Sequence, residues 1–217
     1  MTLQSFQDRR AAGQRLAGLV RHYRELPALL VLGLPRGGVP VAFEVAQALH
    51  APLDVLLVRK LGYPGHPELA MGAIATGDIL VLNQEIVRHG GIDQPPRDAV
   101  LRREQKELHR RELIYRGQAA PLALAGATVL LVDDGLATGA TMEAAIRAVR
   151  SQGPAHLGVA VPVSSAEAAA RATALVDEFT ALVVSDNLGS VGQFYDDFSQ
   201  TSDREVCMLL AQANDKR

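Results

Sequence analysis

A chain of 217 residues, 48% hydrophobic and 21% charged, can bury one sizeable core and is too apolar to stay disordered. Its 22 Lys and Arg against 24 Asp and Glu leave a formal net charge of −2, so nothing in the overall charge attracts nucleic acid or an anionic membrane. One cysteine excludes an internal disulfide, no apolar run approaches the ~20 residues that span a bilayer, and MTLQSFQDRR has no signal-peptide core, so a cytoplasmic protein is expected.

Residues 5–25 are predicted as a helix with Leu16, Leu19, Val20 and Tyr23 on one face. Arg9, Arg10, Arg15, Arg21 and Arg24 fall elsewhere and read as its solvated side. Leu29 to Leu34 is a buried strand, followed by Pro35-Arg36-Gly37-Gly38 and a helix carrying Val41, Ala42, Val45, Ala46 and Leu49. Unpaired N–H groups at that helix start suit an anion, and Arg36 can meet pyrophosphate with both arms of its fork. The segment lacks the GK[ST] of a P-loop, and GxGxxG is absent.

Leu53 to Val58 is a further apolar strand ending in Arg59-Lys60. Two cations at the carboxyl end of a buried strand need an anion, because neither can be buried unpaired. Leu61 to Glu68, with two glycines and two prolines, is predicted as a loop in which His66 and Glu68 are polar tips. Ala73 to Asn83 should form a hairpin turning at Gly77-Asp78. Asp93 to Arg116 should form a charged helix, self-paired through Arg103–Glu107 and Glu107–Arg111; a lid or dimer element with a basic face is the other reading of it. Gly117 to Gly126 is a linker.

Thr128 to Ala148 carries the chemistry. An apolar strand, Val129 to Val132, leads to Asp133 and Asp134, then to a loop of small residues and hydroxyls from Gly135 to Thr141. A helix with Met142, Ala145, Ile146 and Val149 on one face follows. A helix N-terminus at the carboxyl end of a parallel strand binds phosphate, whereas paired carboxylates accept hydrogen bonds from ribose hydroxyls. The pattern therefore points to a ribose 5′-phosphate. Leu157 to Val161 and Thr180 to Val184 are two more strands, with a helix between them capped by Ser164 and Glu167. Phe194, Tyr195 and Phe198 could stack a planar base or fill the core. The last helix starts at Ser202 with Glu205 three residues on, and Cys207 within it reads as a small buried apolar residue. The six histidines show no metal-ligand spacing, so no zinc site is expected. Strands alternating with helices give an α/β class: a three-layer α/β/α domain over residues 1–217, with an open, mostly parallel sheet of about five core strands and a loop, hairpin and helix insertion around 61–117.

VLLVDDGLATGAT resembles the phosphoribosyl pyrophosphate (PRPP) signature of type I phosphoribosyltransferases: four apolar residues, two acids, a few variable residues and a TG-containing phosphate loop. LPRGG resembles the pyrophosphate loop of the same family, and RKLG-P-G-PELAMGA looks like a bacterial branch of predicted phosphoribosyltransferases with which no substrate comes. The resemblance implies that Asp133 and Asp134 hold the ribose hydroxyls and, through them or through water, a Mg²⁺ ion. It implies that Gly135, Ala137, Thr138, Gly139, Ala140 and Thr141 cradle the 5′-phosphate. Arg36, Gly37 and Gly38, through a non-proline cis peptide, together with Arg59 and Lys60, would meet pyrophosphate. Arg59, Lys60 and Asp134 would then carry catalysis, and Phe194 and Tyr195 would stack the acceptor. A Mg²⁺-dependent homodimer moving phosphoribosyl to a nitrogen nucleophile is expected; a non-catalytic PRPP-binding regulator, or a binder of another phosphorylated ribose, is the alternative. In 6-oxopurine enzymes the residue before the TG is an aspartate, so Ala137 disfavours hypoxanthine and guanine.

Overall fold

The computed structural model describes residues 5–64, 66–83, 94–117, 119–120 and 122–214. Among the described residues, eight strands are distributed over two sheets. Strands β1 (Leu29–Gly33), β2 (Leu53–Val55), β6 (Thr128–Val132), β7 (His156–Ser165) and β8 (Glu178–Ser185) form one sheet in the order β2-β1-β6-β7-β8, all parallel. Strands β3 (Val58–Tyr63), β4 (His66–Ala75) and β5 (Ile79–Leu82) form a separate antiparallel sheet.

Both faces of the parallel sheet are covered, as its unbroken apolar strands require. Alternation along β6 sends Leu130 and Val132 to one face and Val129 and Leu131 to the other. The first face packs α1 (Arg9–Leu19), α2 (Gly38–Leu49) and α6 (Asp203–Asn214); the second packs α4 (Ala140–Arg150) and α5 (Ala166–Thr173). Helix α3 (Gln94–Tyr115) buries Leu108 and Tyr115 in the first cluster. Among the described residues, no helix is long and apolar enough to cross a membrane.

Sequence expectation and structure differ at several points. Leu53 to Val58 is not one strand: β2 stops at Val55, and Val58 begins the second sheet. The handover is made by Leu56 N to Gly33 O (3.1 Å) and Leu57 N to Thr76 Oγ1 (2.8 Å). Both leucines stay buried, one in each apolar cluster, so the hydrophobic run hides the break. Leu61 to Glu68 is not a loop, since β3 runs to Tyr63 and β4 starts at His66. Gly62 marks a register shift between the two strands. The side chain of Glu68 lies outside the described residues, and His66 is exposed beside Tyr63. The first helix spans only Arg9–Leu19 before a 3-10 turn, with Asp8 Oδ1 accepting from Ala11 N at 2.7 Å. Helix α5 is capped by Ser165 rather than Ser164, because β7 extends through Ser165. Cys207 is half-buried, its Sγ donating to Ile114 O.

Candidate active site

Strand β1 has β2 on one side and β6 on the other, whereas β6 continues outward to β7 and β8. The chain therefore leaves β1 and β6 in opposite directions, which opens a crevice at their carboxyl ends. Gly33 is in register with Val132, so the segments after both strands emerge together. Leu34 N donates to Val132 O at 2.9 Å, and the Pro35–Arg36 peptide is cis. The two loops then touch. A methyl built on Gly37 would sit 1.9 Å from Asp134 Oδ2, and one on Gly38 would sit 2.8 Å from Asp133 Cα. Only glycine admits this approach. The Arg36 guanidinium lies 3.7 Å from Asp203 at the start of α6, where Tyr115 also donates to Asp203.

The acids are held in different ways. Asp133 Oδ1 accepts from Asp134 N at 2.9 Å, and Asp134 Oδ2 accepts from Arg9 Nε at 2.8 Å. Burial lifts both carboxyls above the ordinary aspartate range; the Asp134 charge lifts Asp133 further, and Arg9 opposes both shifts. Tyr195 donates to Asp134 O at 2.6 Å. The sequence pattern puts Arg9 on a solvated face, and the structure does not. Its partner is 125 positions away, so no local spacing reveals it.

The loop after the acids is pinned to the end of β7: Leu136 N donates to Val163 O, Ser165 N to Leu136 O, and Ser165 Oγ to Ala137 O (2.8 Å). Gly139 takes φ +68° and precedes α4; the cap contributes no side-chain hydrogen bond, and Ala140 N lies 3.5 Å from Thr138 Oγ1. The leading N–H groups of α4 are thus placed for an anion. Thr138, Ala140 and Thr141 are on the rim, with Thr138 and Thr141 exposed beside Gly139. A cavity of about 460 Å³ adjoins this loop, lined by Ala137, Thr138, Ser165, Asp186 and Leu188.

Two glycine-containing loops closed around a pair of aspartates coincide with a match of residues 4–199 to the family described as "Phosphoribosyl transferase domain". The chain belongs to the phosphoribosyltransferase family. It is 46% identical over 209 residues to the Mycobacterium tuberculosis protein "Putative phosphoribosyl transferase Rv0571c" of strain H37Rv, and equally to its CDC 1551 counterpart, "Putative phosphoribosyl transferase MT0597". These alignments cover 96% of the chain but 47% of each relative, so the chain spans about half the length of the curated relatives it matches. The crystal structure of TT1426 from Thermus thermophilus is similar at TM-score 0.86 and 44% identity, covering 96% of this chain and 98% of that one.

Within this phosphoribosyltransferase fold, the structure separates two residues expected to act together. Successive residues of an antiparallel strand face opposite ways. Arg59 Nε donates to Glu104 of α3 at 2.9 Å, whereas Lys60 lines a cavity of about 550 Å³ beside Ala140, Glu143 and Arg147 of α4. Burial pushes the Glu104 carboxyl up, but hydrogen bonds from Arg59 and Arg103 outweigh it and leave it below its usual value. Phe194 and Tyr195 are not a stacking platform. They are 0% and 7% exposed, and they pack with Phe6 and Val163 at the end of a short 3-10 turn. Phe198, 37% exposed, instead carries the Arg9 guanidinium 3.9 Å from its ring centroid.

Proposed function

We propose that this crevice binds PRPP and transfers its 5-phosphoribosyl group to a nitrogen nucleophile, releasing pyrophosphate. The contact of Gly37 and Gly38 with Asp134 and Asp133 carries the reading. It brings a loop suited to one anion against the acids suited to a ribose, with the 5′-phosphate loop continuous beyond them. In this reading Asp133 and Asp134 accept hydrogen bonds from the ribose hydroxyls, and the Gly135–Thr141 segment holds the 5′-phosphate. The amides of the 36–38 loop and the Arg36 side chain meet pyrophosphate. The bond from C1′ to the pyrophosphate oxygen breaks, its electron pair leaving with the anion. A C1′–N bond forms, and the nitrogen gives up its proton.

Among the described residues no group of three or more His, Cys, Asp and Glu gathers to hold a metal ion. Two carboxylates with substrate oxygens around them fit Mg²⁺, which takes most of its ligands from phosphates and water. When bound, Mg²⁺ neutralises charge on the departing pyrophosphate. Lys60, which lines one cavity together with Ala140, is assigned to the 5′-phosphate side of the site. Arg59, engaged by Glu104, has no role in this reading. The acceptor enters the cavity next to Ala137, which offers a methyl group where a carboxylate would assist purine N7.

A pyrophosphate-release assay with Mg·PRPP against adenine, xanthine, uracil, orotate, hypoxanthine and simple amines tests the reading. Release that requires one acceptor, other than hypoxanthine, is the expected result. Tight PRPP binding without release under any acceptor would make the protein a PRPP-responsive regulator instead. Steady hypoxanthine turnover would overturn the argument from Ala137.

A further inference from the structure

The transfer reaction as described makes no use of Arg9, yet this side chain is held as closely as the acids. Its Nε lies 2.8 Å from Asp134 Oδ2 and its Nη1 2.7 Å from Ser199 O, and its guanidinium lies 3.9 Å from the centroid of the Phe198 ring. The Arg9 and Asp134 side chains are 11% and 16% exposed. A methyl on Gly37 would come within 3.2 Å of the same Nε. Helix α1, the 196–199 segment and both ligand loops therefore converge on one guanidinium. A planar fork with two arms on different acceptors and a face on an aromatic ring is a task for arginine, not lysine.

We propose that Arg9 is a positioning residue for phosphoribosyl binding: it fixes Asp134 through Oδ2 and leaves the second carboxylate oxygen for a ribose hydroxyl. The inference rests on the PRPP reading above. Without Arg9, two adjacent carboxylates share a buried site with no facing cation among the described residues, and Asp134 is free to turn from the position in which a ribose meets it. Truncating one member of such a pair acts largely by leaving the other unpaired.

The test is calorimetric affinity for Mg·PRPP on the full chain, using Arg9→Gln, Arg9→Lys, Asp134→Asn and the Arg9→Gln/Asp134→Asn double variant, each checked for folding by its thermal transition. Arg9→Gln should weaken binding about tenfold and Arg9→Lys by less, because the charge is kept and the fork is lost. The double variant should bind within about twofold of Asp134→Asn alone, as expected for residues that act through one another. Arg9→Lys keeps the question open to measurement if the glutamine variant does not fold. Should Arg9→Gln bind like the parent while Asp134→Asn has lost affinity, Arg9 has no positioning role and the PRPP reading stands. Full additivity in the double variant would show that Arg9 acts independently of Asp134. Unchanged affinity in Asp134→Asn would remove the acid from the ribose site, and the inference with it.

Discussion

Among the described residues Asp133 and Asp134 share the Arg9 guanidinium, and their carboxyls lie above the ordinary range because burial, and at Asp133 its neighbour, disfavour the charged form. A carboxyl whose folded pKa exceeds its unfolded value costs stability when ionised. That cost is present above the folded pKa and disappears as pH falls below the unfolded one. The acids are thus kept against the interest of the fold. Asp133→Asn retains Oδ1 as acceptor for Asp134 N and removes the charge. At neutral pH it should raise the melting temperature by about 2–4 °C for each ~1 kcal/mol relieved while lowering PRPP affinity, the usual opposition of stability and function. A melting temperature at or below the parent's would show that the pair is not costly. Gly37 is constrained for the opposite reason. A methyl there collides with Asp134 Oδ2, so Gly37→Ala should displace the loop and reduce Mg·PRPP affinity more than about tenfold by calorimetry.

At the scale of elements, the handover between the two sheets and the seam between β3 and α3 matter most. Arg59 and Arg103 hold Glu104, whose side chain is 8% exposed, below its usual pKa. The stability this adds is fully present above the unfolded value of about 4.3 and lost as pH falls through the lower folded value. Glu104→Gln should therefore cost roughly 1–3 kcal/mol at neutral pH, and the gap to the parent should close in denaturant titrations taken below about pH 4. A constant gap across that range would mean the loss is one of packing. These contacts also mark the limit of what the sequence discloses. Strands β1, β6, β7 and β8, the hairpin turn at Gly77-Asp78 and helix α3 follow from periodicity and turn chemistry. So do the glycine loops after β1 and β6, because each is a contiguous string. The break after Val55 does not, because Leu56 and Leu57 remain apolar in either sheet. Arg9 is indistinguishable in sequence from its neighbouring arginines, since its anchor lies in the signature stretch. Phe194 and Tyr195 become core through Phe6, a contact no spacing encodes.

For the whole molecule, the order β2-β1-β6-β7-β8 puts the crevice between adjacent strands, with connections departing to both sides. A ligand bridging the loops after β1 and β6 ties together the two halves of the sheet, which unfolding must separate. Ligand that binds only the folded state adds about 2.7 kcal/mol at about one hundred times its dissociation constant, or roughly 5–10 °C in melting temperature for a chain of this length. Mg·PRPP at that ratio should produce such a shift in scanning calorimetry. On the proposed reading, ribose 5-phosphate at the same concentration reaches only the 133–141 side, and pyrophosphate only the 35–38 side. Each should shift the transition by much less than PRPP, since each leaves one anion loop empty. A ribose 5-phosphate shift equal to that of PRPP would mean that the loop around Arg36 adds nothing to binding. The close approach of Gly37 and Gly38 to the acids would then be a packing feature of the sheet rather than half of a substrate site.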